Sequence, residues 1–198
     1  MNKMLGVVSV AVVSVSAFAS TSYVKGKFEI DPAHTRVSFV IPHFVISQVE
    51  GRFDDVKGDF TLAEPFSSSK ANVTIAVKSI DTAVSKRDED LRSKNFLDAE
   101  KYPTIKFTAK KFSGTPESFK VIGALTIKGV TKDVTLDGKY RGTLKDPWGN
   151  QRVALDLNGK IDRRDFHIDY SEMTEAGPGI GNEVTIRIQT DGTLSKKK

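Results

Sequence analysis

Residues 119–142, FKVIGALTIKGVTKDVTLDGKYRG, carry the clearest strand pattern in the chain. Leu125 and Ile127 lead into Gly129, and the alternation of apolar and polar residues resumes at Val134. Side chains at every second position of an extended strand lie on one face, and glycine favours the turn between two strands. The stretch therefore predicts an antiparallel hairpin with one buried face.

The same alternation recurs along most of the chain. It is found at residues 35–41, 49–53, 73–77, 105–109, 153–157 and 184–188. About eight such segments, separated by turn residues and without an internal repeat, are typical of a small closed barrel. We expect one all-β domain over residues 20–194, an antiparallel lipocalin-like barrel of about eight strands.

Several glycines lie inside these predicted strands. They are Gly51, Gly58, Gly123, Gly138 and Gly159. Glycine weakens the interior of a strand unless the backbone has to bulge or bend there. We expect bulges or tight bends at about half of these positions and turns at the rest.

The inward-facing positions of the barrel form an apolar interior. In many small barrels the side chains fill this interior completely, whereas in others they leave room for a ligand. The strand pattern alone leaves both alternatives open. The candidate lining residues on the strands are Val37, Phe39, Ile41, Phe53, Val73, Ile75, Val77, Phe107, Leu125, Ile127, Leu155 and Ile186.

A single charged segment, RDEDLRSKNFLDAEKYPTIKF at residues 87–107, interrupts the strand pattern. Ser85 followed by Asp88 is typical of a helix N-cap with an acidic partner in the first turn. We therefore expect a short helix near residues 87–95, either as a lid over one end of the barrel or as an ordinary connection. The apolar side chains of this segment are Leu91, Phe96 and Leu97.

Both ends of the chain differ from the barrel pattern. Residues 1–19 have a basic start, an uncharged run and a small-residue ending, which is typical of a cleaved secretory signal peptide. The alternative is a membrane anchor, but the run is shorter than the roughly 20 apolar residues that a spanning helix needs. Residues 195–198 form a basic tail. Without Lys3 and the three final lysines, 26 basic side chains remain against 25 acidic ones. This balance argues against a nucleic-acid partner, and we expect no transmembrane segment after cleavage of the signal.

Motifs for catalysis and metal binding are missing from the sequence. The chain has no cysteine, which excludes thiol catalysis and thiolate ligands. His34, His43 and His167 form no closely spaced pair, and there is no G-x-S-x-G nucleophile motif. We therefore predict no catalytic residue, no bound metal and no cofactor, and a binding function rather than an enzyme.

Four blocks of the sequence resemble the YceI-like, polyisoprenoid-binding family. Besides residues 87–107, they are DPAHTRVSFVIPHFVISQVEGRFDDVKGDF at 31–60, GALTIKGVTKDVTLD at 123–137 and DPWGNQRVALDLNGKIDRRDFHID at 146–169. The resemblance implies a lipocalin-like barrel with a helical piece against it and a long apolar cavity for an isoprenoid chain. It also implies export to the periplasm of Gram-negative bacteria.

These observations together predict a periplasmic, non-catalytic carrier of a lipid with an isoprenoid-like tail, such as a polyprenyl phosphate or a quinone. An anionic head group would require cations at the cavity mouth, for which the candidates are Arg87, Arg92, Lys94 and Arg152. The alternatives are an envelope interaction or stress-protective protein with a filled barrel, and an enzyme that acts on a lipid. Unpaired edge strands make a homodimer possible.

Overall fold

The computed structural model describes residues 23–175 and 177–195. The signal-peptide prediction for residues 1–19 and most of the basic tail lie outside this part of the chain. The α-helix is α1, Ser85–Arg92. The strands are β1 Gly26–Ile30, β2 Arg36–His43, β3 Ser47–Phe53, β4 Val56–Leu62, β5 Lys70–Ala76, β6 Ile80–Asp81, β7 Thr104–Thr115, β8 Ser118–Ile127, β9 Val130–Lys145, β10 Gln151–Asp162, β11 Met173–Thr174, β12 Gly177–Pro178 and β13 Glu183–Leu194.

Eight of the strands in the described part of the chain close into an antiparallel barrel. Their order is β1, β4, β5, β7, β8, β9, β10 and β13, and β13 pairs again with β1. The first half of β13 pairs instead with β2, which carries β3 and the short β6. The prediction of an all-β barrel of about eight strands is therefore confirmed.

The hairpin predicted from residues 119–142 is formed by β8 and β9. Ile127 pairs with Val130, so the connection consists of Lys128 and Gly129 alone. Both residues have positive φ, 49° and 77°, which is the geometry of a two-residue turn that matches the twist of the strands. Glycine tolerates this conformation without steric cost, and the turn sets the register of β8 against β9.

The core consists of two clusters of buried apolar side chains. One, which we call the closed-end cluster, is built around stacked rings of Phe28 and Phe60 with centroids 5.4 Å apart. Phe66 packs edge-on against Phe112 in the same cluster, at 5.8 Å. These rings fill one end of the barrel. The helix-end cluster lies towards α1 and contains Val37, Ile75, Ile105, Leu125, Phe166 and their neighbours.

The helix predicted at residues 87–95 is present but begins and ends earlier, and its cap differs from the prediction. The N-cap residue is Val84, and Ser85 is already helical. The Asp88 carboxylate accepts hydrogen bonds from the backbone N–H of Thr82 at 2.9 Å and from its hydroxyl at 2.6 Å. Asp88 thus ties the helix to the preceding turn, and no side chain of the N-cap residue caps the helix.

Within the described residues, no helix combines the length and the apolar character that crossing a membrane requires.

Candidate functional site

The barrel encloses a cavity of about 700 Å³. Side chains at alternate positions of its strands face the lumen; on β13 they run from Val184 through Ile186 and Ile188 to Thr190. At 3.3 Å per residue this wall is about 20 Å long. The volume lies within the range of about 300–1,000 Å³ that is usual for small-molecule sites. Of the two alternatives that the strand pattern left open, the structure shows the open interior.

The cavity brings together nearly all of the predicted apolar residues. Those that line it are Val37, Phe39, Ile41, Phe53, Val73, Ile75, Leu91, Phe96, Leu97, Phe107, Leu125, Ile127, Leu155 and Ile186. Val77 is the exception and needs correction, because it lies on a 3-10 turn, Val77–Ser79, and packs into the helix-end cluster. Strand β5 ends one residue earlier, at Ala76, so the alternation of the strand does not extend to Val77.

Sequence reasoning missed other residues that line the cavity. Leu136, Leu157 and Ile188 belong to the same alternating patterns, so extending the count along each strand would have found them. Phe166 and Ile168 follow the last alternating segment of β10 and have no periodic signal. They reach the lumen only because the chain folds back over the barrel after residue 162.

The mouth of the cavity lies at the helix end of the barrel. Phe44, Val84 and Tyr170 all line the cavity, yet 46%, 46% and 43% of their surfaces are exposed. The rings of Phe96 and Tyr170 meet edge-on at 5.3 Å and thus connect the segment after α1 to the segment after β10. The interior is therefore continuous with solvent beside α1, whereas the closed-end cluster fills the other end.

Two cations lie at this mouth. Lys86 and Arg87 both line the cavity. Arg87 is held by Thr82, because its Nε donates to the Thr82 hydroxyl at 2.8 Å and its Nη2 donates to the Thr82 carbonyl at 2.7 Å. Lys86, which the sequence analysis did not select, has no ion-pair partner within the described residues. An anionic group at the mouth would thus find one positioned guanidinium and one free ammonium, beside the carboxylates of Asp90 and Glu172, which also line the cavity.

The other two predicted cations of the helical segment point away from the lumen. Arg92 donates from Nη2 to the carbonyl of Ile80 at 2.8 Å, which ties α1 to β6. Lys94 is exposed, and its carbonyl accepts a hydrogen bond from Lys128 at 3.1 Å. Neither residue lines the cavity.

Arg152 requires a correction, because the structure places it at the opposite end of the barrel. It is next to Val153 of the closed-end cluster, and it lies between two carboxylates. Its Nη1 donates to Asp31 at 2.6 Å and its Nε donates to Asp146 at 2.9 Å. Hydrogen bonding to Arg152 lowers the pKa of Asp31 to about 2. Burial alone would raise the pKa of Asp146, but hydrogen bonds from Arg152 and Asn150 outweigh it and bring this pKa also to about 2.

A buried guanidinium organises the segment that covers the mouth. Arg163 is 4% exposed and lines the cavity. It donates to the carbonyls of Tyr170 and Gly181, both at 2.8 Å, and also to those of Ile168 and Ile180. Burial lowers the pKa of Arg163. Since these acceptors come from both arms of the chain between β10 and β13, Arg163 clamps them together beside the cavity.

The histidines lie apart from one another. His34 Nδ1 is 2.9 Å from Asp31 Oδ2, near the closed end, and the His43 ring contacts Phe44 at the mouth. His167 follows the 3-10 turn Arg163–Phe166. Within residues 23–175 and 177–195, no group of three or more histidine, aspartate or glutamate side chains has the arrangement to hold a metal ion.

Comparison with known proteins gives a consistent result. A family model described as YceI-like domain matches residues 28–191. The chain is 37% identical over 182 residues to the UPF0312 protein of Yersinia enterocolitica, which covers 90% of this chain and 92% of that protein. It is 38% identical over 182 residues to the YceI protein of Salmonella newport, with 90% and 93% of the two chains covered.

Solved structures share the fold. The YceI protein of Campylobacter jejuni superposes with a TM-score of 0.67 at 33% identity, over 78% of this chain and 90% of that one. BcnA of Burkholderia cenocepacia gives 0.72 at 22% identity, over 82% and 98%. A polyisoprenoid binding domain of Saccharophagus degradans gives 0.63 at 14% identity, over 85% and 98%. The last two likenesses concern the fold alone.

Proposed function

Because this chain belongs to the family of YceI-like domain proteins, we propose that it binds and carries a lipid with an isoprenoid-like tail in the periplasm. The observation that supports this most directly is the open apolar cavity of about 700 Å³ with a mouth at one end. A structural neighbour is described as a polyisoprenoid binding domain, which supports the same class of ligand. Polyprenyl phosphates and quinones are the proposed cargo.

The cavity can supply the affinity that such a ligand needs. Burial of hydrocarbon stabilises a complex by about 0.8 kcal/mol per methylene. Several isoprene units thus contribute on the order of 10 kcal/mol of gross stabilisation, before the cost of ordering the ligand is subtracted. The tail lies along β13 and β10, and a polar head group is left at the mouth near Lys86 and Arg87.

Binding of this kind requires no reactive group. The family and the barrel favour a binding protein over a catalyst. The lumen is lined mostly by aliphatic and aromatic side chains, and its titratable neighbours lie at the mouth. A carrier role follows from a site that shelters a tail from water while it leaves the head group accessible.

The periplasmic location rests on residues 1–19 and can be tested separately. Expression of the full chain in a Gram-negative host, followed by osmotic shock and N-terminal sequencing, is expected to release a mature protein that begins at residue 20. Retention of the uncleaved chain in the cytoplasm would contradict this part of the proposal.

The ligand can be tested with a pair of variants on β13. Ile188 lines the cavity, whereas Gln189 beside it is exposed on the outer face. Ile188→Trp is expected to fill the lumen and to lower the lipid content at least tenfold, and Gln189→Trp is expected to leave it unchanged. Gentle purification, native mass spectrometry and solvent extraction measure the lipid that each protein carries.

The outcomes separate the alternatives. If wild-type protein repeatedly carries no lipid and a fluorescent polyisoprenoid does not bind, the lipid proposal is wrong and an interaction protein of the envelope becomes the better explanation. If the protein converts the bound lipid, it is an enzyme. Similar lipid content in both tryptophan variants would mean that the ligand binds outside the barrel.

A further inference from the structure

Phenylalanine rings in the cavity wall lie directly over inward-facing glycines. A Cβ atom placed on any of these glycines would come closer to the ring above it than the 3.0 Å that real Cβ atoms respect. Each of the rings also lines the cavity. The pairs are Phe39 over Gly51, Phe107 over Gly123, Phe119 over Gly138 and Phe60 over Gly192.

Glycine is therefore required at these positions because a phenylalanine ring packs where a side chain would otherwise lie. Gly51 pairs with Phe39 within an unshifted register, and Gly138 pairs in register with Phe119 and with Leu157, so neither position is a bulge or a turn. The expectation that such glycines serve bulges or turns is wrong at these two positions. A ring that occupies the space of a missing side chain lies flat against the wall, and the lumen in front of it stays open.

The pairs differ in how much freedom the ring has. Phe60 and Phe119 are 4% and 3% exposed, and the closed-end cluster packs around them. Phe39 and Phe107 are only partly buried and border the lumen. A methyl group on the glycine would force either of these two rings to move. Because both rings border the lumen, a ring that turns towards it narrows the lumen.

The two free rings lie at different depths. Phe39 pairs with Ile186 and lies in the half of the cavity nearer the mouth. Phe107 packs against both the helix-end and the closed-end clusters and so lies about halfway down. A displaced Phe39 would narrow the entrance, whereas a displaced Phe107 would shut off the deeper half.

We propose that Gly51 and Gly123 are specificity-determining positions that set the bore of the lumen at two depths and thereby the length of tail that it admits. This inference rests on the proposed function and adds to it which residues select the ligand. Loss of one buried methylene lowers affinity about fourfold. Each isoprene unit excluded from the deeper half therefore lowers affinity by at least about tenfold.

The test is a binding profile against isoprenoid alcohols of increasing length, from farnesol to longer polyprenols, measured by displacement of a fluorescent probe. For wild type we expect affinity to rise with length until the cavity is full. Gly123→Ala is expected to bind short tails as wild type does and to lose the gain for longer ones. Gly51→Ala is expected to bind all lengths at least about tenfold more weakly.

Two control variants distinguish an effect of the displaced Phe107 ring from an effect of backbone strain at Gly123→Ala. A Cβ on Gly123 also comes within 2.8 Å of the carbonyl of Thr108, so the backbone shifts slightly in this variant. The double variant Gly123→Ala with Phe107→Leu keeps that contact and shortens the displaced side chain, and it is expected to recover long-tail binding. Thr108→Ala changes an exposed neighbour of Phe107 and is expected to keep the wild-type profile.

Some results would contradict the role of Gly51 and Gly123 and leave the proposed lipid binding intact. A folded Gly123→Ala protein with the wild-type profile, or a double variant that still rejects long tails, would show that the ring does not control length. If Gly123→Ala does not fold, Gly51→Ala still tests whether a displaced ring narrows the lumen, because the three atoms nearest to its new methyl group belong to the side chains of Phe39 and Thr82 and not to the backbone. If wild type binds no isoprenoid alcohol, the proposed function itself is wrong.

Discussion

Arg152 illustrates how a single side chain can join parts of the chain that are far apart in sequence. It links Asp31, in the turn after β1, to Asp146, in the connection between β9 and β10. Asp146 is almost fully buried and also accepts hydrogen bonds from Asn150. Charge-assisted hydrogen bonds of this kind are among the stronger polar contacts, and removal of one partner leaves the others unpaired.

The two carboxylates predict how stability depends on pH. The folded protein lowers the pKa of both Asp31 and Asp146 from the ordinary value of 3.8 to about 2. A depressed carboxylate pKa stabilises the fold above pH 3.8, and this stabilisation is lost as pH falls towards about 2. Unfolding in this window should take up as many as about two extra protons at these sites, and Asp162, whose pKa is also lowered to about 2 by hydrogen bonding to Arg164, adds up to one more. Chemical denaturation at a series of pH values measures this uptake as the slope of the unfolding free energy.

Arg152→Met is the matched variant for that experiment. It removes the group that lowers both pKa values, so the unfolding free energy should fall at neutral pH and depend less on pH below 3.8. An unchanged slope in the variant would mean that the acid sensitivity of the protein arises elsewhere.

At the scale of elements, the apolar side chains of α1 and of the turn after it differ in how deeply they are buried. Both leucines line the cavity, but Leu91 is only partly buried, whereas Leu97 is 9% exposed and belongs to the helix-end cluster. The lid alternative therefore fits Leu91 better than Leu97. Their different burial allows the two roles to be measured separately.

We expect Leu91→Ser to weaken lipid binding about tenfold and to lower the unfolding free energy by only about 1 kcal/mol. Leu97→Ser is expected to cost about 3 kcal/mol, since it leaves a cavity and a buried hydroxyl in the core. Thermal unfolding of delipidated protein and ligand titration provide the two measurements. Equal losses of stability in both variants would show that Leu91 is ordinary core.

The segment between β10 and β13 depends on the clamp at Arg163. Arg163→Lys keeps the charge but cannot reach the carbonyls on both arms, so several acceptors are left unsatisfied. The expected cost is about 3 kcal/mol, at roughly 1 kcal/mol for each lost hydrogen bond. Amide exchange around Ile168, Tyr170 and Gly181 should accelerate more than exchange in β8. Uniform acceleration across the protein would indicate a global loss of stability instead.

At the scale of the whole molecule, the barrel is sealed at one end and open at the other. Barrel closure leaves few free edges, but β6 pairs with β3 only at Arg52 and Phe53. The outer edge of β3 between Ser47 and Gly51 is a place where a second chain could pair. The homodimer stays a prediction, and light scattering over a range of concentrations measures it.

An open interior also predicts that ligand removal lowers stability. A ligand that binds only the folded state at a concentration of 100 times its Kd adds about 2.7 kcal/mol. For a domain of this size, that corresponds to a shift in Tm of about 5–10 °C. Calorimetry before and after solvent extraction, and again after a polyprenol is added back, measures the shift. An unchanged Tm on extraction would mean that the lumen does not hold the lipid.

Much of the site was predictable because strand alternation is a local property. Once Val184, Ile186 and Ile188 are placed on a strand, all three must face the same side, and the barrel makes that side the lumen. Cavity-lining residues in irregular segments could not be predicted in this way, because those segments show no alternation. Phe166 and Ile168 line the cavity only through the path of the chain after β10, and Lys86 does so only because of where α1 lies.

The sequence by itself determined the all-β class, the family and the apolar character of the interior, since each depends on residue types and their spacing. Only the tertiary structure decided that the interior is open, that Arg152 lies at the sealed end and that the mouth lies beside α1. The reason is that these features arise where residues distant in sequence meet. Arg152 and Asp31 are 121 positions apart, and the glycine beneath each aromatic ring of the wall lies on another strand of the sheet. Period and composition describe one strand at a time, whereas the space inside a barrel depends on all of its strands together.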